Sequence, residues 1–245
     1  MGHHKLERFA ENLTFPNLFQ VSYEMLKEEG FALKGKWREY FGNDNPITLE
    51  LGCGKGDYTI ALARIHPDRN YVGVDIKGAR LWRGAKTGCE EKMKNVAFVR
   101  TRIELIEQFF APGEVSEIWI TFPDPQPKKE FKRLTCERFL NYYKSFLKPH
   151  SPVHLKTDSQ ELHEYTLNEV IAQGGYETEY ATADLYATPA EEHPEMPCLR
   201  EAQMTQTFYE RMFLAEGKPI TYIKFYVDGR PEAGKRNPRV KTLKI

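Results

Sequence analysis

Three glycines and two carboxylates lie close together in the first third of the chain. Gly52, Gly54 and Gly56 form a turn that Glu50 precedes and Asp57 follows. An apolar run comes before this turn, and a segment with helical spacing comes after it, which predicts a strand, a loop and the N-terminus of a helix. Because glycine tolerates positive φ and carries no side chain, the loop lets a ligand approach the backbone. The pattern is typical of nucleotide binding, although a strand-turn-helix without a ligand is an alternative.

The two carboxylates indicate the charge of the ligand. A dinucleotide-binding loop has the pattern G-x-G-x-x-G and holds a pyrophosphate at the helix N-terminus. Here Asp57 stands where the third dinucleotide glycine would be, and Glu50 lies in front of the first glycine. Such carboxylates disfavour a pyrophosphate, and they favour a positive centre such as a sulfonium or an ammonium.

Another carboxylate ends the next predicted strand. Asp75 closes the apolar run 71–75 and lies about 20 residues after the last glycine, where doubly wound folds place the carboxylate that binds ribose hydroxyls. Together with the glycine loop, it resembles motif I and the acidic end of strand two in class I S-adenosylmethionine-dependent methyltransferases. The resemblance implies S-adenosylmethionine as the cofactor, with S-adenosylhomocysteine as the product and no metal.

A second group of chemically interesting residues follows the fourth predicted strand. Asp124 lies among three prolines, which stiffen the loop and discourage a helix. Four basic residues come next, namely Lys128, Lys129, Lys132 and Arg133. Basic side chains can bind phosphates without reading sequence. A carboxylate near a methyl donor, followed by a basic patch, fits a substrate that is both a base and a polyanion.

These residues need a sheet that brings the ends of its strands together. Strands are predicted at 47–51, 70–75, 96–101, 117–122, 152–157, 176–181 and 220–227, and helices near 57–65, 78–93, 103–110, 131–147 and 159–173. The alternation predicts a mostly parallel sheet that binds ligands at the carboxyl ends of its strands. The last strand has no helix of usable length just before it, so we expect it to be antiparallel.

This pattern predicts an α/β fold, the Rossmann-like architecture of class I methyltransferases. We expect a central seven-stranded, mostly parallel sheet with one antiparallel strand and helices on both faces. Residues 1–46 are interpreted as an extension packed on the core, 47–227 as the methyltransferase domain and 228–245 as a basic, flexible tail. Residues 182–206 have a loop-like composition.

Composition limits the classes of function. The 245 residues contain 35 basic and 35 acidic side chains, so affinity for nucleic acid must come from local patches. The four cysteines are widely spaced and form no C-x-x-C pair, which disfavours a metal site or disulfides and favours a reducing compartment. The sequence has no membrane-spanning run and no signal peptide, so we expect a cytoplasmic protein.

Three motifs carry a more specific resemblance. The first runs from Phe122-Pro123-Asp124-Pro125 through the basic run to Leu134, the second is Lys156-Thr157-Asp158 and the third is Thr207-Phe208-Tyr209-Glu210. In this order and spacing they resemble the bacterial tRNA (guanine-N7-)-methyltransferases. The resemblance implies methyl transfer to N7 of a guanosine in tRNA, expected at position 46 of the variable loop, by a monomer or a homodimer.

The resemblance also implies roles for individual residues. The cofactor site would contain Glu50, Gly52, Gly54, Asp75, Arg102 and Asp124, with Asp124 also the catalytic residue. The tRNA substrate would contact Lys128, Asp158, Thr207, Phe208, Tyr209 and Glu210. For Thr207 and Glu210 a helix capping box is an alternative, and Asp158 could instead be a helix N-cap.

The chain departs from the family pattern at two positions. Gln126 replaces a tryptophan, so a stacking role there is lost or moved. Arg102 replaces an aspartate that is expected to hold the adenine amino group, and arginine has no acceptor for that group. Glu104 or backbone groups around Ile103 would then accept the bond instead.

Guanine N7 has an exposed lone pair and no proton, so its methylation needs alignment and charge stabilisation and no general base. We expect Asp124 to supply both. Three other functions stay open, namely a methyltransferase acting on another nucleic-acid base or amine, a nicotinamide-dependent oxidoreductase and a catalytically inactive tRNA-binding relative. Asp57 argues against the oxidoreductase.

Overall fold

One eight-stranded sheet forms the centre of the computed structural model, which describes residues 3–228. Its strands are β1 Leu18–Gln20, β2 Ile47–Leu51, β3 Asn70–Asp75, β4 Val96–Arg100, β5 Glu117–Thr121, β6 Pro152–Thr157, β7 Glu177–Thr182 and β8 Thr221–Tyr226. Their order across the sheet is β1-β4-β3-β2-β5-β6-β8-β7. Only β8 runs against its neighbours β6 and β7, and every other pairing among these strands is parallel.

The predicted α/β class, the parallel sheet and the single antiparallel strand are confirmed. The sheet has one strand more than predicted, because β1 pairs with β4 from Leu18↔Phe98 to Gln20↔Arg100. With three residues, β1 is too short to show the alternation of apolar and polar residues that reveals a strand. It extends the sheet at the edge next to β4.

Ten α-helical segments accompany the sheet within residues 3–228. They are α1 His3–Asn12, α2 Tyr23–Glu28, α3 Trp37–Phe41, α4 Asp57–Ile65, α5 Gly78–Glu90, α6 Glu137–Lys144, α7 Gln160–Tyr165, α8 Ala172–Gly174, α9 Pro197–Met204 and α10 Phe208–Ala215. A π-helical segment, Thr166–Ile171, joins α7 to α8, and short 3₁₀ helices lie at Ile103–Gln108, Glu130–Lys132, Leu185–Ala187 and Ala190–Glu192.

Two expectations about these connections are wrong. Residues 182–206 were expected to be loop-like, yet they contain α9, which has proline in its first turn, where the missing N–H costs nothing. The last strand was expected to follow no usable helix, yet the eight-residue α10 precedes it. The antiparallel direction of β8 therefore does not depend on the absence of a helix.

Hydrophobic side chains fill both faces of the sheet, as the predicted three-layer arrangement requires. Neighbouring residues of β4 illustrate the alternation: Phe98 packs with Tyr58 of α4 and Leu81 of α5, whereas Val99 belongs to the cluster around Trp37 on the other face. All five of these side chains are fully buried. Because β2 is parallel to its neighbours β3 and β5, the carboxyl ends of these strands lie at the same end of the sheet.

The N-terminal segment contacts the helix that follows Asp75. The indole of Trp82 donates a hydrogen bond to Glu11 (2.6 Å), and Asn12 Nδ2 donates to the carbonyl of Gly78 (2.9 Å) at the start of α5. The division into an extension, a methyltransferase domain and a tail stays a proposal. Residues 229–245, which make up nearly all of the expected tail, lie outside the described residues.

Candidate active site

The glycine loop after β2 has the backbone geometry that its sequence predicts. Gly52, Gly54 and Gly56 have φ values of 75°, 59° and 74°, in the left-handed region that favours glycine. A Cβ at Gly54 would meet no atom within 4 Å, so the backbone there is open to a ligand. A Cβ at Gly56 would lie 2.6 Å from the ring of Phe98, so this glycine serves packing.

Glu50 is a buried carboxylate at the floor of the loop. Its Oε2 accepts hydrogen bonds from the backbone N–H (2.8 Å) and the hydroxyl of Thr59, and its Oε1 accepts from the hydroxyl of Thr121 (2.6 Å). Burial raises the pKa of Glu50 to about 7, although the bonds from Thr121 and Thr59 oppose the rise. A carboxylate has about four acceptor positions, so these three donors leave room for one more.

Asp75 ties the end of β3 to the glycine loop. Its Oδ2 accepts from the backbone N–H of Gly54 (2.9 Å), and its Oδ1 accepts from the N–H of Lys77 (2.7 Å). Each oxygen keeps a second lone pair. The contact fixes the loop relative to the carboxylate that was expected to bind ribose hydroxyls.

A cleft opens beside the loop. Its wall combines the glycine loop, the end of β5, α5 and the start of α10, through Glu50, Gly52, Cys53, Gly54, Lys55, Asp57, Tyr58, Arg80, Thr121, Phe122, Thr207, Phe208 and Tyr209. The cleft therefore joins expected cofactor residues to expected substrate residues. The ammonium of Lys55 lies 5.3 Å from the ring centroid of Phe208 and links the two groups.

The loop after β5 holds Asp124 in a strained turn. Phe122 and Gln126 have φ values of 47° and 46°, a conformation that costs a residue other than glycine about 1–3 kcal/mol. Asp124 Oδ1 accepts a hydrogen bond from the backbone N–H of Gln126 (3.1 Å) and stabilises the turn. The Asp124 side chain is exposed and lies outside the lining of the cleft, which Phe122 reaches two residues earlier.

The basic run after this loop does not behave as one patch. Lys128, Lys129 and Lys132 are exposed, whereas Arg133 is only 1% exposed. The expectation that all four cations could bind phosphates is therefore wrong for Arg133, because its guanidinium points into the protein.

The Thr207–Glu210 segment divides into an exposed and a buried part. Thr207 and Glu210 form the capping box of α10, with the hydroxyl accepting from the N–H of Glu210 (3.1 Å) and the carboxylate accepting from the N–H of Thr207 (3.2 Å). Phe208 and Tyr209 are about half exposed, and both line the cleft. Glu210 is fully buried beside Lys156.

Asp158 and Arg102 lie apart from the cleft lining. Asp158 is partly exposed at the end of β6, and the alternative that it caps the next helix is wrong, because Ser159 is the N-cap and accepts from the N–H of Leu162 (3.2 Å). Arg102 is exposed and precedes the 3₁₀ helix Ile103–Gln108. Glu104, the alternative partner for adenine, is exposed on the same helix.

The structure thus brings part of the expected set into one cleft. Glu50, Gly52, Gly54, Thr207, Phe208 and Tyr209 line it, whereas Asp75, Arg102, Asp124, Lys128, Asp158 and Glu210 do not. Sequence reasoning missed Thr121, Tyr58 and Arg80 as site residues. Thr121 could have been predicted, since it is a polar residue at the carboxyl end of a buried strand, where α/β folds bind ligands. Arg80 lies in α5, and no sequence pattern marks it as a site residue.

Comparisons with known proteins show the family of the chain. Residues 44–221 match the family model described as "Putative methyltransferase". The chain is 56% identical over 226 residues to the tRNA (guanine-N(7)-)-methyltransferase of Christiangramia forsetii, covering 91% of this chain and 97% of the relative. It is 48% identical to the enzyme of the same name from Bacteroides thetaiotaomicron, covering 92% and 86%.

Solved structures share the fold at much lower identity. The 16S rRNA methyltransferase KamB superposes with a TM-score of 0.58 at 14% identity, covering 81% of this chain and 94% of that one. A variant of the 16S rRNA (adenine(1408)-N(1))-methyltransferase from Catenulisporales acidiphilia, solved with its cosubstrate SAM, superposes with a TM-score of 0.51 at 14% identity, covering 78% and 89%. These likenesses support the Rossmann-like fold.

Within residues 3–228, no helix combines the length and the apolar character needed to cross a membrane.

The family match spans most of the chain and includes both the glycine loop and the Asp124 loop. The curated relatives cover the chain almost from end to end at high identity. The chain therefore belongs to the tRNA (guanine-N(7)-)-methyltransferase family.

Proposed function

We propose that this protein transfers a methyl group from S-adenosylmethionine to N7 of a guanosine in tRNA. The observation that carries the proposal is the 56% identity to a tRNA (guanine-N(7)-)-methyltransferase along 97% of that relative's length. The cleft supports it, because one wall suits a small cationic nucleoside and another wall carries exposed aromatic side chains.

The residues beside the glycine loop fit S-adenosylmethionine. Glu50 has one acceptor position left for a positive charge, and the open backbone at Gly52 and Gly54 lets a ligand lie against it. Asp75 keeps lone pairs for a ribose diol. When bound, this cofactor supplies an electrophilic methyl group on a sulfonium, and S-adenosylhomocysteine is left as product. Arg102 and the groups around Ile103 and Glu104 are proposed to lie at its adenine end.

The protein's task is then to orient the guanine and to exclude water. Guanine N7 attacks with its own lone pair and loses no proton, so the site needs no general base. Alignment of the reacting atoms contributes up to about 7–11 kcal/mol in favourable cases. The purine gains positive charge as the bond forms, and the carboxylate of Asp124 stabilises that charge. Asp124 is therefore proposed as the catalytic residue and as a neighbour of the cofactor.

The proposed tRNA surface surrounds the mouth of the cleft. Exposed Phe208 and Tyr209 offer faces on which an unstacked base can lie, which is a common mode of RNA recognition. Exposed Lys128 offers a charge to phosphate. Asp158 and Thr207 remain proposed substrate contacts, whereas Glu210, which the family resemblance also assigns to the substrate, is fully buried.

Finer features of the activity are also proposals. The target is guanosine 46 of the variable loop, the enzyme acts as a monomer or homodimer, and it works in the cytoplasm on free tRNA without a membrane partner. The target position follows from the family resemblance of the three motifs, and the location follows from the widely spaced cysteines, which favour a reducing compartment.

A methyl-transfer assay tests the substrate. Unmodified tRNA transcripts with guanosine or adenosine at position 46 are incubated with the enzyme and S-adenosylmethionine labelled in the methyl group. We expect label in the guanosine transcript and background label in the adenosine transcript. Equal labelling of both transcripts would refute the choice of position, and no labelling of either would refute tRNA as the substrate. Calorimetric titration with NAD and S-adenosylmethionine checks the cofactor independently.

A further inference from the structure

The guanidinium of Arg133 is buried and contacts the loop that follows β5 and contains Asp124. Its Nε donates a hydrogen bond to the carbonyl of Pro125 (3.0 Å), and its Nη2 lies 2.5 Å from Oε1 of Glu161 in α7. The ring of Tyr165 packs against it with the centroid 4.3 Å from Cζ. Only 1% of the side chain is exposed. One cation thus connects the proline-rich loop to the helix after β6.

This environment excludes a direct role in binding phosphate. A phosphate contact requires a guanidinium that RNA can reach. The guanidinium of Arg133 already forms an ion pair with Glu161, and its Nη1 lies 3.7 Å from Oε1 of Glu130. The lysines that precede it in sequence, Lys128, Lys129 and Lys132, are exposed. The arginine of the basic run therefore has a different task from the lysines.

The position of Pro125 shows what that task is. Pro125 directly follows Asp124 and lies between Phe122 and Gln126, whose positive φ values are costly for these residue types. Strained backbone persists only where the surrounding structure holds it in place. The hydrogen bond from Arg133 to the carbonyl of Pro125 stabilises the middle of this turn from outside it.

We propose that Arg133 is a positioning residue, which fixes the Asp124 loop against α7 so that the Asp124 carboxylate faces the reacting guanine. The proposal rests on the proposed function, in which Asp124 stabilises the methylated purine. Lysine would not replace arginine here, because a single ammonium lacks the planar fork that reaches the Pro125 carbonyl and the Glu161 carboxylate at once. Charge alone is therefore insufficient at this position.

The test uses three variants of the full chain. Arg133→Lys keeps the charge and loses the fork, Arg133→Met loses both, and Glu161→Gln removes the charge of the outer partner, which is 58% exposed. Arg138→Met is the matched control, because it removes an arginine from an exposed position on α6. For each protein one measures kcat and KM with tRNA, the dissociation constant for tRNA at several salt concentrations and the melting temperature.

We expect Arg133→Lys to lower kcat by about 10- to 100-fold, the loss that a misplacement of about 1 Å can cause. The tRNA dissociation constant and its salt dependence should stay at wild-type values, and Glu161→Gln should lower kcat less, with unchanged tRNA affinity. Arg138→Met should resemble wild type throughout. If Arg133→Met fails to fold, Arg133→Lys and the exposed Glu161→Gln still decide the question.

A phosphate-binding Arg133 predicts the opposite pattern. Arg133→Lys would then keep kcat within about twofold of the wild-type value. Arg133→Met would reduce by about 1 the slope of the logarithm of the tRNA binding constant against the logarithm of salt concentration. Glu161→Gln would tighten tRNA binding, because the guanidinium would lose its carboxylate partner. Any of these results overturns the proposal. A wild-type enzyme that fails to methylate tRNA would refute the proposed function instead, so the two failures are distinguishable.

Discussion

The ammonium of Lys156 lies 2.6 Å from Oε1 of Glu210, and neither side chain is exposed to solvent. The same ammonium donates to the carbonyls of Ala202 (2.5 Å) and Thr205 (3.0 Å), at the end of α9 and just after it. This pair joins two of the three motifs that mark the family, at the end of β6 and the start of α10. Its partners leave the carboxylate of Glu210 occupied, since Tyr186 also donates to it (2.6 Å).

The Lys156–Glu210 pair should behave as a structural unit. Burial lowers the pKa of Lys156, against the opposing effect of Glu210, so removing Glu210 leaves a poorly solvated cation. We expect Lys156→Met alone to cost about 3–5 kcal/mol in the free energy of unfolding, because it leaves a buried charge without its partner. Adding Glu210→Gln should recover about 1–3 kcal/mol of that loss, as measured by urea unfolding. Additive losses would mean that the two side chains are not coupled.

Cofactor affinity should depend on the ionisation of Glu50. Its pKa of about 7 means that the empty site takes up a proton as the pH falls below neutral, which removes the charge that holds a cation. The affinity for S-adenosylmethionine should then weaken below about pH 7, approaching tenfold per pH unit, and binding should release a proton. Calorimetry in buffers of different ionisation enthalpy measures both effects. In Glu50→Gln the affinity should be lower and flat with pH, and a pH dependence that persists in this variant would assign it to another group.

A second buried carboxylate should govern stability in acid. Burial would raise the pKa of Glu117, but the hydrogen bond and charge of His154, the charge of Arg69 and the bond from Thr48 lower it to about 2. A lowered pKa stabilises the fold above the usual value of 4.5, and this contribution disappears as the pH falls from about 5 toward 2. Glu117→Gln should lower the free energy of unfolding by about 3 kcal/mol at neutral pH, and this free energy should then fall less steeply in acid than it does in the wild type. Parallel acid unfolding curves for the two proteins would disagree with this account.

Asp124 should contribute to catalysis through its negative charge and through the hydrogen bond that stabilises its turn. Asp124→Asn keeps an oxygen that accepts from the N–H of Gln126 and loses the negative charge, whereas Asp124→Ala loses both. We expect kcat for tRNA methylation to fall about 10²-fold in Asp124→Asn and further in Asp124→Ala, with tRNA affinity nearly unchanged. Full activity in Asp124→Ala would show that another residue stabilises the charge on guanine.

The sequence allowed the centre of the fold to be predicted closely. The bounds of β2, β3, β6 and α4 agree with the prediction residue by residue, because glycines, a carboxylate or a proline mark their ends. The same signals located the glycine loop and the capping box of Thr207 and Glu210. Local patterns thus sufficed where the local chain determines the conformation.

Features that depend on distant contacts were not predictable. Lys132 and Arg133 are adjacent cations in one charged run, yet the first is exposed and the second is buried against Glu161, 28 residues away. Glu210 matches a substrate-binding motif, but its carboxylate is enclosed by Lys156 and Tyr186. Strand β1 pairs with β4, which lies about 80 residues further along the chain. In each case the partner lies far away in the chain, and one sequence does not reveal it.

Mass spectrometry of the methylated nucleoside tests the central claim most directly. Unmodified tRNA is incubated with the wild-type enzyme and S-adenosylmethionine, digested to nucleosides and compared with standards for each methylated base. The account predicts 7-methylguanosine as the product, because a ring nitrogen with a lone pair and no proton needs only orientation and a carboxylate. Formation of 1-methylguanosine, N2-methylguanosine or N6-methyladenosine, each of which requires loss of a proton, would contradict it.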